Sequence, residues 1–175
     1  MTLKITPLTS IIAAEVSGID LAEPQDDATV AALRQALLDH LVLIFRGQDL
    51  SEPEQVRFAG FFGTPFEIRQ HDNLERRPDA DSRVMLVSNI VENGKLIGAL
   101  PGGELQFHSD SAFDEHPLMA TVLYSETLPS RGGETKFANM HAVLDALDPE
   151  VRDRLEGRGG VNVFDFVTQV KTEKL

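Results

Sequence analysis

The spacing of apolar residues along the chain changes every ten to twenty positions, and each change marks an element. "LKITPL" and "IIAAEVSGID" read as short strands that run into a turn at Gly18. Val30, Leu33, Leu37 and Leu41 then recur at helical spacing, which predicts a helix over about 28–40 capped by Asp26 or Asp27. "LVLIFRG" is a continuous apolar run, the kind of strand buried on both faces. Ser51 and Glu54 form an S-x-x-E capping box ahead of a second helix bearing Val56, Phe58, Phe61 and Phe62, and Gly63-Thr64-Pro65 is expected to end it.

The pattern then loses its helical period. Residues 66–82 are polar and proline-interrupted, as in a surface loop. "VMLVSNI" (84–90) reads as a strand, followed by Asn93-Gly94, a strong hairpin signal. "GALPGGE" is expected to be a flexible loop, with "LQFHSD" the strand that leaves it. "LMATVLYSETL" (118–128) alternates as a half-buried strand does, "SRGG" turns the chain, and "ETKFAN" is a further short strand. Asn139 can cap a helix over about 140–147, and Pro149 can start another that closes at Gly157–Gly160. "VNVFDF" reads as a last strand. Alternating helices and strands followed by a strand-rich remainder suit an α+β protein built around an antiparallel sandwich or barrel.

Composition narrows the chemistry more than the fold. At 175 residues, 42% hydrophobic and 25% charged, the chain fits a single soluble globular domain with no internal repeat or linker. No apolar run is long enough to span a bilayer and the N-terminus carries no basic-then-apolar signal, so a cytoplasmic location is expected. With no cysteine, disulfides, thiolate metal sites and cysteine nucleophiles are excluded. A metal would need nitrogen and oxygen ligands, which favours iron, manganese or zinc. The net charge of −12 argues against nucleic acid as a partner, because the Arg76-Arg77 pair lies beside Asp79 and Asp81 and forms no basic stripe.

Within "LQFHSDSAF", His108 and Asp110 are two apart. Five histidines and fourteen aspartates scattered at random give about 0.4 such pairs, so the pair alone proves nothing. On a strand, residues i and i+2 share a face, which would aim an imidazole nitrogen and a carboxylate oxygen at one point. With a second histidine from elsewhere they would make the facial triad of non-haem iron(II) oxygenases, leaving positions open for co-substrate and dioxygen. Phe107 and Phe113 could supply an apolar wall. The competing reading is a surface strand with a plain His–Asp hydrogen bond.

The surrounding sequence bears on that choice. "FHSDSAFDEHPLMATVLYSETLPSRGGETKFANMHAVLDAL" resembles the TauD/TfdA family of Fe(II)/2-oxoglutarate-dependent dioxygenases. The shared features are an aromatic-His-x-Asp segment, a proline about nine residues on, the "ATVLY" strand, a Pro-x-x-Gly-Gly-acid-Thr turn and "FANM" leading into a helix. Upstream, "FRGQDLSEPEQVRFAGFFGTP" resembles the same family's N-terminal strand–helix pattern, so the resemblance runs from about residue 5 to 166. It implies a double-stranded β-helix (jelly-roll) core with flanking helices, in one domain over 1–175 that is incomplete. It further implies Fe(II) as cofactor, 2-oxoglutarate and O2 as co-substrates, and hydroxylation of a C–H bond of a small organic acid with release of succinate and CO2. A homo-oligomer is compatible with it.

Carried over residue by residue, the resemblance makes His108 and Asp110 iron ligands and Thr135 a hydroxyl donor to a 2-oxoglutarate carboxylate. Glu104, Asn89 and Phe107 are weaker candidates for substrate contact. The family's distal histidine, and the arginine that pairs with 2-oxoglutarate, have no counterpart in residues 1–175. His116 in a loop, His141 in a helix and Arg131 in a turn are poor substitutes. The expectation is therefore an N-terminal portion of a longer dioxygenase; the alternative is a jelly-roll fragment that binds a ligand or partner without turnover. A hydrolase built on the adjacent pair His71-Asp72 is a third, remoter reading.

Overall fold

The computed structural model describes residues 2–67, 81–98 and 106–162. Two strands, β1 (Lys4–Pro7) and β2 (Ala14–Ser17), pair antiparallel with Ile5 opposite Val16. Helix α1 (Asp27–His40) returns the chain to β3 (Leu43–Phe45), which lies parallel to β2 and completes a sheet of order β1-β2-β3. Helix α2 (Glu52–Ala59) follows. Gly18 stands at the predicted turn with φ +74°, and a Cβ there would lie 2.1 Å from the Thr2 carbonyl oxygen, so only glycine fits.

Both helix starts form as the sequence predicts. The Asp26 side chain accepts from Thr29 N at 2.7 Å, and that backbone bond, aided by the Thr29 hydroxyl, holds the Asp26 carboxyl below its ordinary value. Glu54 Oε2 accepts from Ser51 Oγ at 2.6 Å and from Ser51 N at 2.7 Å, and its carboxyl is lowered for that reason. Each carboxylate also sits at the positive end of its helix. Helix α1 ends where Leu41 takes a left-handed conformation, φ 64°, and its N–H reaches Leu37 O at 2.7 Å.

Val16, Leu21, Leu33 and Phe58 make the centre of the core, with Ile5, Leu43, Phe45, Phe61, Phe62 and Val122 packed around it. Phe58 meets Phe45, Phe61 and Phe62 edge to face, with centroids 5.1–5.6 Å apart. Gln48 ties the loop after β2 to the loop after β3: its Oε1 accepts from Leu21 N at 2.8 Å and its Nε2 donates to Ile19 O at 3.3 Å.

Several expectations need correction. The strand in "LVLIFRG" is three residues long and half-buried, and among the described residues it pairs with β2 alone. Helix α2 stops at Ala59 with Gly60 as its cap, three residues before the predicted Gly63; Phe61 and Phe62 pack from the turn instead. In "VMLVSNI" only a single bridge at Val87 forms, although burial alternates as on a strand. Burial also alternates over 118–124 of "LMATVLYSETL", which forms no bridge, and "LQFHSD" and "ETKFAN" form no ladder over their described residues. A strand requires a partner backbone as well as a side-chain pattern, and the pattern alone names no partner. Among the described residues no closed barrel forms.

The local predictions fare better. Val91–Glu92 (β4) and Lys95–Leu96 (β5) make the hairpin, with Asn93 and Gly94 both at positive φ as a tight turn demands. Asn139 caps α3 (Met140–Asp145), its Oδ1 accepting from His141 N and Ala142 N. Pro149 opens α4 (Pro149–Leu155). The loop expected over 66–82, the "GALPGGE" loop and "VNVFDF" lie largely outside the described residues. No helix among the described residues is long and apolar enough to cross a membrane.

Candidate functional site

The site is assembled by an irregular segment, not by a strand. Residues 108–110 lead straight into a turn, in which Ser111 adopts φ 53° and Asp114 N donates to Ser111 O at 3.0 Å. A left-handed serine costs about 1 kcal/mol or more, and such outliers gather where a side chain must be aimed. His108 Nε2 and Asp110 Oδ1 nonetheless converge to 3.2 Å. The predicted shared face is therefore present without the predicted ladder.

Each of the two side chains is held from behind. His108 Nδ1 lies 2.7 Å from the Gln106 carbonyl oxygen, which can only accept, so Nδ1 carries the hydrogen in that contact. Thr121 Oγ1 donates to Asp110 Oδ2 at 2.6 Å. In a neutral ring the Nε2 lone pair then faces Asp110 Oδ1, and two electron-rich atoms at that distance call for a proton or a cation between them. Both side chains are about half exposed, 55% and 47%, so the pair adds little to folding stability.

That donor set fits a divalent metal. It offers one imidazole nitrogen and one carboxylate oxygen, and each ligand is oriented by an outer hydrogen bond, as metal ligands usually are. Among the described residues no group of three or more His, Asp or Glu side chains could hold a metal, so these residues furnish two donors.

The remaining candidates are more scattered. Thr135 is exposed, just past Gly132 and Gly133, both at positive φ, and it makes no hydrogen bond to His108 or Asp110. Asn89 is exposed ahead of the hairpin, and Phe107 is 71% exposed beside His108. His116 is exposed in the loop before Pro117, His141 lies in α3, and Arg131 is exposed in the turn before Gly132; none joins the pair. Glu104 and His71-Asp72 lie outside the described residues. Thr121 was missed by motif reasoning. Its signal was present: it is a hydroxyl on the face of an alternating segment opposite Val122 and Tyr124.

Residues 4–174 match the family model described as "Taurine catabolism dioxygenase TauD, TfdA family". The chain is 35% identical over 161 residues to an (S)-phenoxypropionate/alpha-ketoglutarate-dioxygenase of Delftia acidovorans, covering 86% of this chain and 51% of that one. It is 32% identical over 167 residues to an alpha-ketoglutarate-dependent 2,4-dichlorophenoxyacetate dioxygenase of Cupriavidus pinatubonensis, covering 90% and 57%. The chain thus spans about half the length of the curated relatives it matches. Among solved structures, that of AAD-2 in complex with Mn(II) and N-oxalylglycine is similar with a TM-score of 0.62 and 30% identity, over 89% of this chain and 51% of that chain.

Proposed function

We infer the function from the premise that this chain belongs to the taurine catabolism dioxygenase TauD, TfdA family. The reading is that it carries the His-x-Asp part of the metal site of an Fe(II)/2-oxoglutarate-dependent dioxygenase. The reaction converts a C–H bond of a small organic acid to C–OH, with one atom of O2 entering the product and the other entering succinate as 2-oxoglutarate loses CO2. The observation that carries this is the convergence of His108 Nε2 and Asp110 Oδ1 at 3.2 Å, each oriented from behind by Gln106 O and Thr121 Oγ1. Similarity to relatives that act on phenoxypropionate and 2,4-dichlorophenoxyacetate supports a small organic acid as substrate.

When bound, Fe(II) supplies the redox chemistry that couples O2 reduction to decarboxylation of the co-substrate and oxidation of the substrate. The residues of the chain do the rest. His108 contributes a neutral nitrogen donor whose tautomer is set by Gln106 O, and Asp110 contributes an anionic oxygen that offsets metal charge. Thr135 is assigned a hydrogen bond to a 2-oxoglutarate carboxylate, while Glu104, Asn89 and Phe107 are assigned to the substrate side. The fold is a double-stranded β-helix with flanking helices, a proposal supported by the likeness to AAD-2. The residues act in the cytoplasm, within one domain.

The test is O2-dependent release of succinate from 2-oxoglutarate in the presence of aryloxy and alkyl acids. The full-length enzyme, with the distal histidine and arginine that the family reading requires, should release it and its His108→Ala variant should not, whereas residues 1–175 by themselves should give no steady release. Succinate formed by His108→Ala at the wild-type rate would refute the assignment. Full-length protein that binds these acids with no succinate release would favour a ligand-binding module.

A further inference from the structure

We propose that Thr121 is a positioning residue for the metal site, fixing which oxygen of Asp110 is offered beside His108. The proposal deepens the metal-site reading above and rests on it. A carboxylate on a short side chain can present either oxygen, or both, to a neighbouring cation. In this structure the two oxygens are divided: Oδ2 accepts from Thr121 Oγ1 at 2.6 Å, and Oδ1 lies 3.2 Å from His108 Nε2. A donor hydrogen on Oδ2 withdraws that oxygen from the metal side and leaves Oδ1 as a single directed ligand.

The backbone behind Thr121 makes it a firm support. Over residues 118–124 burial alternates, with Ala120, Val122 and Tyr124 turned inward and Met119, Thr121 and Leu123 outward. Val122 packs against the Val16–Leu33–Phe58 core, and the Tyr124 hydroxyl accepts from Leu50 N at 3.1 Å. Thr121 therefore stands directly ahead of two contacts to the best-packed part of the molecule. Its β-branched side chain has few rotamers, so the hydroxyl keeps its direction. Asp110, in an exposed turn eleven residues earlier, gains through this single hydrogen bond an orientation its own segment does not supply.

The experiment is titration of the protein with Mn(II), followed by electron paramagnetic resonance, with Thr121→Val, Thr121→Ser and Asp110→Asn alongside wild type. Valine keeps the shape and removes the hydroxyl; serine keeps the hydroxyl. Thr121→Val should weaken Mn(II) binding by about 10-fold or more, as loss of outer-shell partners commonly does, and Thr121→Ser should restore it to within about 2-fold. Far-UV circular dichroism of the valine variant should match wild type. Equal affinity in Thr121→Val and wild type, an equal loss in Thr121→Ser, or a loss that tracks a falling folded signal overturns the role of Thr121 alone, provided Asp110→Asn binds poorly. Wild-type protein that binds no Mn(II), or Asp110→Asn that binds it as wild type does, overturns the metal-site reading as well.

Discussion

Residues 2–62 and residues 106–162 use their apolar side chains in opposite ways. All seven buried hydrophobic residues described, from Ala14 to Phe58, lie in the first region. No described residue from position 81 onward is buried, and Phe107, Leu123, Leu128 and Met140 are each more than 60% exposed. The first region closes on itself through a strand–helix–strand unit and a capped helix, all within sixty residues. The second carries the candidate chemistry and leans on the first through Val122, through the Tyr124 hydroxyl at Leu50 N, and through Asn139 Nδ2, which donates to Ile11 O at 2.8 Å. The contrast separates a supporting module from a supported one: in the candidate pair, Asp110 takes its hydrogen bond from Thr121, on the segment that is anchored to the first region.

Mutations in the two regions should therefore differ in kind. The largest effect is expected at the core: Leu33→Ala removes a fully buried side chain and should cost about 3 kcal/mol in urea unfolding, whereas Leu123→Ala, at 66% exposure, should cost about 0.5 kcal/mol or less. Similar losses at the two positions would erase the distinction. A smaller effect is expected at the junction. Tyr124→Phe deletes the acceptor for Leu50 N and should cost about 1 kcal/mol, while weakening the support behind Thr121.

The smallest effect concerns the helix caps of the first region. The carboxyls of Asp26 and Glu54 are lowered in the folded chain from ordinary values of 3.8 and 4.5. A lowered folded value means the deprotonated form favours the fold. Their contribution is full above the ordinary values and disappears as pH falls through the folded ones. Asp26→Asn and Glu54→Gln should flatten the acid limb of helical circular dichroism below about pH 4.5 and leave neutral pH nearly unchanged. An acid limb identical to wild type in the double variant would show that the caps do not set it.

How much was legible in the sequence follows the same division. The Asp26, Ser51–Glu54 and Asn139 caps, the Gly18 turn and the Asn93-Gly94 hairpin are short-range features in which the needed partner lies within a few residues. Each formed where the pattern placed it. "LMATVLYSETL" shows the limit. Its period-2 burial was readable, but its pairing was not, since a ladder depends on a partner backbone that the segment's own pattern does not identify. His108 and Asp110 were found by spacing and by family resemblance, and their convergence survived the loss of the strand that motivated it. The outer hydrogen bonds, from His108 to Gln106 O and from Thr121 to Asp110, were not foreseen; the second depends on where an irregular turn puts Asp110 against a segment eleven residues away.

The most direct test is anaerobic titration of the full-length protein with Fe(II) and 2-oxoglutarate, monitored for the visible charge-transfer band of the chelate. Wild-type protein should develop the band, and His108→Ala and Asp110→Asn should each lose it while keeping the far-UV spectrum of the folded chain. A band of wild-type intensity in either variant, or none in wild type, would contradict the assignment of His108 and Asp110 as ligands.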